Sequence, residues 1–312
     1  MVILLAGQWS EAERARWLQA LGEAVPDAQW CTEPTDDERA RIDVAVVANP
    51  TPAQLQGLPR LRFVQSLWAG VDRLLASGAL PPQVTLARMV DPAMNRAMAE
   101  TAVWATLSLH RHAFDYLQQQ ALRQWRVLPQ RRADELQVAV LGLGQMGLAT
   151  AQSLQALGYR VQAWRREGQG QLQGVPFSSG EAGLQRLLAA SDIVINLLPL
   201  TPATQGLFDA QRFAAMREGI GFVNLARGAQ VVEADLLAAL DSGRVGRAVL
   251  DVFQTEPLPG DHPFWRHPRV TVLPHAAAQT DPRSAAAVVA RNLRAFVRGE
   301  PLTGEVPLPR GY

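Results

Sequence analysis

The stretch LQVAVLGLGQMG, residues 136–147, decides the fold. Val138, Ala139, Val140 and Leu141 form a short apolar run, and Gly142, Gly144 and Gly147 follow with the spacing G-x-G-x-x-G. Behind the glycines, AQSLQALG (151–158) carries helical periodicity. Such glycines also serve plain helix–strand packing, so the motif informs only in context. Here it leaves a strand and opens a helix, the setting that binds a dinucleotide. Gly142 permits the sharp turn, and Gly144 removes a side chain where a pyrophosphate approaches. Gly147 lets the helix sit against the sheet, and the first helical N–H groups, around Gln145 and Met146, are left for the phosphates.

Working outward, RVQAW (160–164), DIVINLL (192–198), GFVNLA (221–226), RAVLDVF (247–253) and VTVLP (270–274) are further short apolar runs. Near-continuous apolar runs fit parallel strands covered on both faces. EADLLAALDSG (233–243) supplies one of the intervening helices, and EGQGQLQG (167–174) reads as a loop. Upstream, a second β/α system appears in VILLA (2–6), a helix over 11–24, DVAVVA (43–48) and LRFVQSL (61–67). Asn49-Pro50, Pro52, Pro59 and Pro81-Pro82 punctuate it with turns. Residues 97–120 have the spacing of one long helix, and 281–300 that of another, capped by Asp281 with Pro282 in its first turn. Strand–helix alternation throughout predicts an α/β protein of two doubly wound parallel sheets.

Composition narrows the function classes. The chain has 312 residues, 48% hydrophobic and 19% charged, a length that suits two domains. Its 30 basic and 29 acidic residues give a net charge of +1, against a nucleic-acid partner. The basic residues are all arginine. Cys31 is the only cysteine, so neither an intrachain disulfide nor a thiolate metal site is expected, and no metal is assigned. MVILLAGQWS reads as a first strand, and no run reaches the ~20 apolar residues of a membrane helix. The expectation is a cytoplasmic protein without a membrane partner.

An acidic residue ~20 positions beyond the glycines would bind the ribose 2′-OH of NAD. This chain instead places Trp164-Arg165-Arg166 there, with Glu167 slightly late. Two guanidiniums suit a 2′-phosphate, so NADP(H) is the preferred cofactor, with NAD(H) possible. Ligands of open α/β sheets gather at the carboxyl ends of strands. Arg227 after GFVNLA, Asp251 after RAVL, Glu256 in VFQTEPLP and His275 after VTVLP all arrive at such ends. Each alone has an ordinary structural reading; arriving together they mark a site.

GLGQMG, LLPLTPATQGLF, NLARGAQVVEADLLAAL, AVLDVFQTEPLP and HPRVTVLPHAA, taken in order, resemble the D-isomer-specific 2-hydroxyacid dehydrogenase family. The double arginine after the second strand, the NLARG spelling and the terminal PRGY look most like its glyoxylate/hydroxypyruvate reductase A branch. The resemblance implies a Rossmann NAD(P)-binding domain, residues 98–277, inserted into a flavodoxin-like substrate domain made of 1–97 and 278–312. It implies Arg227, Glu256 and His275 as the catalytic set. For the cofactor it implies Gly142, Gly144, Gln145, Met146, Gly147, Arg165, Arg166, Leu198, Pro199, Thr204, Ala226 and Asp251. For the substrate it implies Arg227, His275 and the loop holding Trp68, Ala69 and Gly70. Trp68 departs from the small residue common in that loop, and HAAAQT has alanine where glycine is frequent. Family members are typically homodimers through the helix near 100–120.

The chemistry agrees with those roles. A planar guanidinium can clamp the carboxylate of a 2-oxoacid. A histidine with an ordinary pKa of ~6.5 can protonate the alkoxide left by hydride addition, and a carboxylate behind it fixes the tautomer. The expected activity is NADPH-preferring reduction of small 2-oxoacids such as glyoxylate and hydroxypyruvate. The alternatives are a bulkier 2-oxoacid or a poorly catalytic dinucleotide-sensing regulator. Hydroxyisobutyrate-type dehydrogenases are expected to need a catalytic lysine, and this chain has none.

Overall fold

A computed structural model describes residues 1–81 and 83–307. Pro82 of the Pro-Pro pair and the terminal PRGY lie outside the described residues. The chain runs β1 (Val2–Gly7), α1 (Glu11–Ala24), β2 (Gln29–Cys31), α2 (Asp36–Arg39), β3 (Ile42–Ala48), α3 (Pro52–Leu55), β4 (Phe63–Ser66), α4 (Asp72–Ala76) and β5 (Thr85–Ala87). Then come α5 (Pro92–His110), α6 (Ala113–Ala121), β6 (Gln137–Leu141), α7 (Gln145–Ala156), β7 (Arg160–Trp164), β8 (Gly170–Leu172), β9 (Val175–Ser178) and α8 (Gly180–Ala190). It finishes with β10 (Ile193–Asn196), α9 (Ala210–Ala215), β11 (Ile220–Asn224), α10 (Glu233–Asp241), β12 (Val245–Leu250), β13 (Val270–Val272), α11 (Pro282–Arg298) and β14 (Glu305–Val306).

Two compact units result, one from residues 1–94 with 280–312, the other from 95–279. The first holds a sheet of order β14-β5-β4-β3-β1-β2, parallel except for β14. One face packs Leu4, Ala6, Ala45, Val47, Val64 and Leu86 into a core. Helix α11 packs with α1, and its Phe296 stacks on Phe63 at 5.1 Å between ring centroids. Asn292 ties the returning segment down: its amide donates to Gln65 Oε1 at 2.7 Å and Thr303 O at 2.9 Å, and its oxygen accepts from Thr303 N.

The second unit holds an eight-stranded sheet, β13-β12-β11-β10-β6-β7-β9-β8, parallel except for β8. Its strands bury both faces. Along β6, Ala139 and Leu141 enter one core with Phe208, Phe213 and Phe222, while Val138 and Val140 enter the other with Leu154 and Val223. That two-sided burial explains why these strands read as unbroken apolar runs rather than alternating ones. Strand order reverses between β6 and β10, which opens a crevice at their carboxyl ends.

Two expectations need correction. Residues 97–120 are not one helix. Asp91 caps α5 five residues earlier than expected, its Oδ1 accepting from Ala93 N at 2.9 Å. His112 then takes a left-handed backbone (φ 57°) that ends the helical run before α6 begins. Residues 167–174 are not all loop either. β8 pairs antiparallel with β9 across Gln173-Gly174, whose φ values of 48° and 82° fit a two-residue hairpin turn with both central residues left-handed.

Candidate active site

The glycine loop is built as its spacing requires. Gly142 sits at φ +97°, and a Cβ there would lie 2.6 Å from Leu197 O. A Cβ on Gly147 would overlap the carbonyl oxygen of Gly142, so only glycine allows α7 to approach the strand end. Gly144 differs: it is the exposed N-cap of α7, no side chain caps it, and a Cβ there meets nothing within 4 Å. A twelve-residue helix thus presents uncapped N–H groups to open space, which fits a diphosphate. At the end of β7, Arg165 and Arg166 are exposed. Arg165 lies over the Phe177 ring at 5.3 Å, and Arg166 reaches Glu167 at 3.4 Å.

Beside this loop lies a polar network that the apolar patterning concealed. Asn196, Asn224 and Gln230 are completely buried. Asn196 Nδ2 donates to Asn224 Oδ1 at 2.9 Å and Gln230 Oε1 at 2.7 Å. Gln230 Nε2 donates to the carbonyls of Leu198 and Pro199, both at 3.1 Å. Asn224 Nδ2 donates to Arg227 O at 3.1 Å, and Arg227 N donates to Gln230 Oε1 at 3.3 Å. With its partners in place such a network is rigid, so the ends of β10 and β11 and the Arg227 turn form one block. The available signal was an asparagine closing each of two otherwise apolar strands, in IVIN and GFVN.

Arg227 leaves this block half-buried, its Nη1 donating to Ala226 O at 2.7 Å. Gly228 follows it for a reason other than a left-handed turn. A Cβ at 228 would overlap the backbone of Phe253, so the Arg227 turn rests directly on that chain segment. Phe253 N in turn donates to Glu256 Oε1 at 3.0 Å, and Glu256 Oε2 meets His275 Nδ1 at 2.9 Å. The carboxylate side chain is 18% exposed and the imidazole 50%. Glu256 therefore holds Nδ1, and the ring stays half-exposed. One line of contacts, Arg227–Gly228–Phe253–Glu256–His275, brings together the three residues expected to carry catalysis.

Asp251 sets the backbone beneath the histidine. It is buried, and its carboxylate accepts from Ala276 N at 2.7 Å and Ala277 N at 3.0 Å, while its carbonyl accepts from His275 N at 2.9 Å. These bonds fix His275 at φ 54°, a left-handed conformation costly for a side chain of this kind. Burial pushes the Asp251 carboxyl above its ordinary value, against the two N–H donors and the nearby His275 charge. Thr204 closes the turn after β10, its hydroxyl donating to Pro199 O at 2.7 Å and accepting from Thr201 N at 2.8 Å. Leu198 and Ala226 are buried in the same region, and Pro199 is exposed.

Trp68, Ala69 and Gly70 lie in the first unit, half-buried in the loop after β4. Trp68 N donates to Ser66 Oγ at 3.0 Å, and Trp68 O accepts from Met89 N at 3.0 Å. Met89, Met94 and Met98 are buried. Cys31 is buried as well: its thiol donates to Ile3 O at 3.5 Å, and burial raises its pKa. Among the described residues no three His, Cys, Asp or Glu side chains gather as a metal set, and no helix is long and apolar enough to cross a membrane.

Residues 103–277 match the family model described as D-isomer specific 2-hydroxyacid dehydrogenase, NAD binding domain. The chain belongs to this family. It is 40% identical over 304 residues to a glyoxylate/hydroxypyruvate reductase A from Serratia proteamaculans, covering 95% of this chain and 96% of that one. Among solved structures, a D-isomer specific 2-hydroxyacid dehydrogenase from Xanthobacter autotrophicus Py2 in complex with NADPH and MES superposes with a TM-score of 0.93. It is 36% identical and covers 100% of this chain and 99% of its own. An NADPH-dependent glyoxylate/hydroxypyruvate reductase from Sinorhizobium meliloti, in complex with NADP and sulfate, gives a TM-score of 0.92 at 34% identity. The coverage there is also 100% and 99%.

Proposed function

We propose that this chain is an NADPH-preferring reductase of small 2-oxoacids, with glyoxylate and hydroxypyruvate as its first substrates. The observation that carries the reading is the Glu256–His275 pair at 2.9 Å, anchored to the turn that bears Arg227. The relatives that bind NADP(H) and bear the glyoxylate/hydroxypyruvate name support it. In this reading residues 95–279 form the cofactor domain, and residues 1–94 with 280–312 the substrate domain.

Each residue then has a physical task. Arg227 clamps the substrate carboxylate, contributing orientation as well as affinity. Trp68, Ala69 and Gly70 of the first unit are assigned to substrate binding, the latter two through their backbone N–H groups. When bound, the reduced nicotinamide supplies the hydride. His275 gives the proton from Nε2 to the carbonyl oxygen, and Glu256 stabilises the imidazolium and keeps Nδ1 protonated. The uncapped start of α7 holds the diphosphate, and Arg165 and Arg166 the 2′-phosphate. Loops at Leu198, Pro199, Thr204, Ala226 and Asp251 complete the cofactor's surroundings. NADH remains a weaker substitute.

A homodimer and a cytoplasmic setting belong to the same reading. The dimer is supported by apolar side chains exposed along one stretch: Trp104 and Leu107 on α5, Leu117 on α6, and Trp125 (100% exposed) and Val127 (80% exposed) beyond it. A single buried cysteine accords with a reducing compartment.

A panel of 2-oxoacids, followed by loss of reduced-nicotinamide absorbance with NADPH and separately NADH, tests the function. Turnover with none of them would sink it. Changing Arg165 and Arg166 together to Ala should raise the KM for NADPH at least tenfold while leaving that for NADH within threefold. Equal effects on both would remove the 2′-phosphate assignment.

A further inference from the structure

Glu256 sits in the loop that follows β12, beyond the strand that orders its neighbours. Asp251 anchors the histidine's side of the Glu256–His275 pair, through Ala276 N and Ala277 N. On the carboxylate's side the loop is tied to the start of α10. Gln254 N donates to Glu233 Oε1 at 3.1 Å, and Gln254 Nε2 donates to Val231 O at 2.8 Å. Further along the loop, His262 Nε2 lies 3.4 Å from Glu233 Oε2. All of these residues belong to the second unit.

Glu233 opens α10, shortly after the Arg227 turn. Its side chain is 20% exposed and that of His262 18%, so both are largely withdrawn from water. One carboxylate thus turns each oxygen to a different point of the loop, and the two points lie on either side of Glu256 in the chain. A hydrogen bond from an N–H to a carboxylate is stronger than its neutral counterpart. Next to Gln254, Phe253 is buried and donates its N–H to Glu256 Oε1 at 3.0 Å. A shift of Gln254 therefore reaches the residue that holds Glu256.

We infer that Glu233 is a positioning residue for the proton-transfer pair: by gripping the loop at Gln254 and His262, it fixes where Glu256 meets His275. The inference rests on the reductase reading above, in which Glu256 stabilises the imidazolium. Small misplacements of a supporting group weaken catalysis without abolishing binding, so the effect belongs in turnover rather than in affinity.

The test compares wild type, Glu233→Ala and Glu233→Gln with glyoxylate and NADPH across pH. Alanine removes both anchors, whereas glutamine keeps an oxygen to accept from Gln254 N. Glu233→Ala should lower kcat at least fivefold and leave the KM for glyoxylate and for NADPH each within threefold. The pH at which kcat falls off on the alkaline side should also move down by at least half a unit, because a displaced carboxylate no longer favours the protonated ring. Glu233→Gln should return kcat to within threefold of wild type. If the Ala variant does not fold, Gln254→Ala removes only the amide anchor on Val231 O. It should still lower kcat at least twofold with the same direction of pH shift, and an unchanged kcat there overturns the inference. A kcat loss in Glu233→Ala with an unmoved pH profile overturns it too, and leaves Glu233 a purely structural role. So does a loss carried by the KM for glyoxylate, which would place Glu233 behind Arg227 instead. Wild-type inactivity on every 2-oxoacid would bring down the reductase reading itself.

Discussion

At the amino edge of the eight-stranded sheet, Asp192 accepts from Arg131 and Arg217, each at 2.8 Å, and from Gln137 N at 2.8 Å. His110 lies nearby with both ring nitrogens engaged, Nδ1 with Tyr159 OH at 2.7 Å and Nε2 with Arg131 O at 2.8 Å. A cavity of about 370 Å³ opens there, and the charged groups Arg131, Arg217, Asp192 and Arg247 around it are held in ion pairs, Arg247 on Asp115. At the carboxyl edge, Glu256 also accepts a backbone N–H and faces a histidine, yet His275 is half-exposed and, among the described residues, its ring is held at Nδ1 alone. Similar parts give different outcomes. Where both ends of the ionisable group are tied, the cluster holds structure. Where one end is tied and the other faces solvent, the group is poised for proton transfer.

Four substitutions test that contrast, beginning with the largest effect. His275→Ala should lower kcat by roughly 10²–10⁴ while NADPH binding, read by fluorescence titration, stays intact. Loss of both would indicate misfolding rather than lost chemistry. Arg227→Ala should cut kcat/KM for glyoxylate at least tenfold through both constants, and near-normal kinetics would remove its clamp role. Gly228→Ala forces a methyl into the Phe253 backbone, so the strand end must shift. A stability loss of about 1–3 kcal/mol with a several-fold drop in kcat is expected from such overpacking, read by denaturant unfolding alongside kinetics.

Asp192→Asn belongs to the closed edge and should leave kinetics unchanged. Burial raises the Asp192 carboxyl, but hydrogen bonds from Arg131 and Gln137 N and the charges of Arg131 and Arg217 outweigh it, and the net pKa is lowered. A depressed folded value means the stabilisation is present above the unfolded value of ~3.9 and is lost as pH falls through the folded one. The variant should therefore unfold a few degrees lower at neutral pH, and the gap to wild type should narrow below about pH 4. A pH-independent difference in Tm would show that the charge is not what matters. Asp251, whose pKa is raised, carries the opposite sign: its ionised form costs stability above the unfolded value, and acid relieves that cost.

Much of this was legible in the sequence, for identifiable reasons. Fully covered parallel strands such as β6, β7 and β11 are apolar on both faces, so they stood out without any partner being known. Strands β2, β5 and β14 are two or three residues long and lie at or near the sheet margin, too short to show a pattern. The hairpin of β8 and β9 was hidden by its glutamines and glycines, because an edge strand needs backbone pairing more than side-chain burial. The start of α5 could have been read, since Asp91-Pro92 repeats the Asp-Pro signal that marked α11. The Asn196–Asn224–Gln230 network could not, because strand periodicity does not reveal which amides will meet across neighbouring strands.

The left-handed backbone at His275 also limits which substitutions the fold can absorb. Asparagine tolerates this conformation far better than β-branched residues do, and it keeps a polar side chain of smaller volume. Evolutionary drift or deliberate engineering that silences the chemistry thus has a low-strain exit through His275→Asn. Valine or isoleucine at the same position would strain the Asp251 cap and the loop it holds. A member of this architecture that kept its glycine loop but carried asparagine at that position would be expected to remain a folded dinucleotide binder with its proton donor gone.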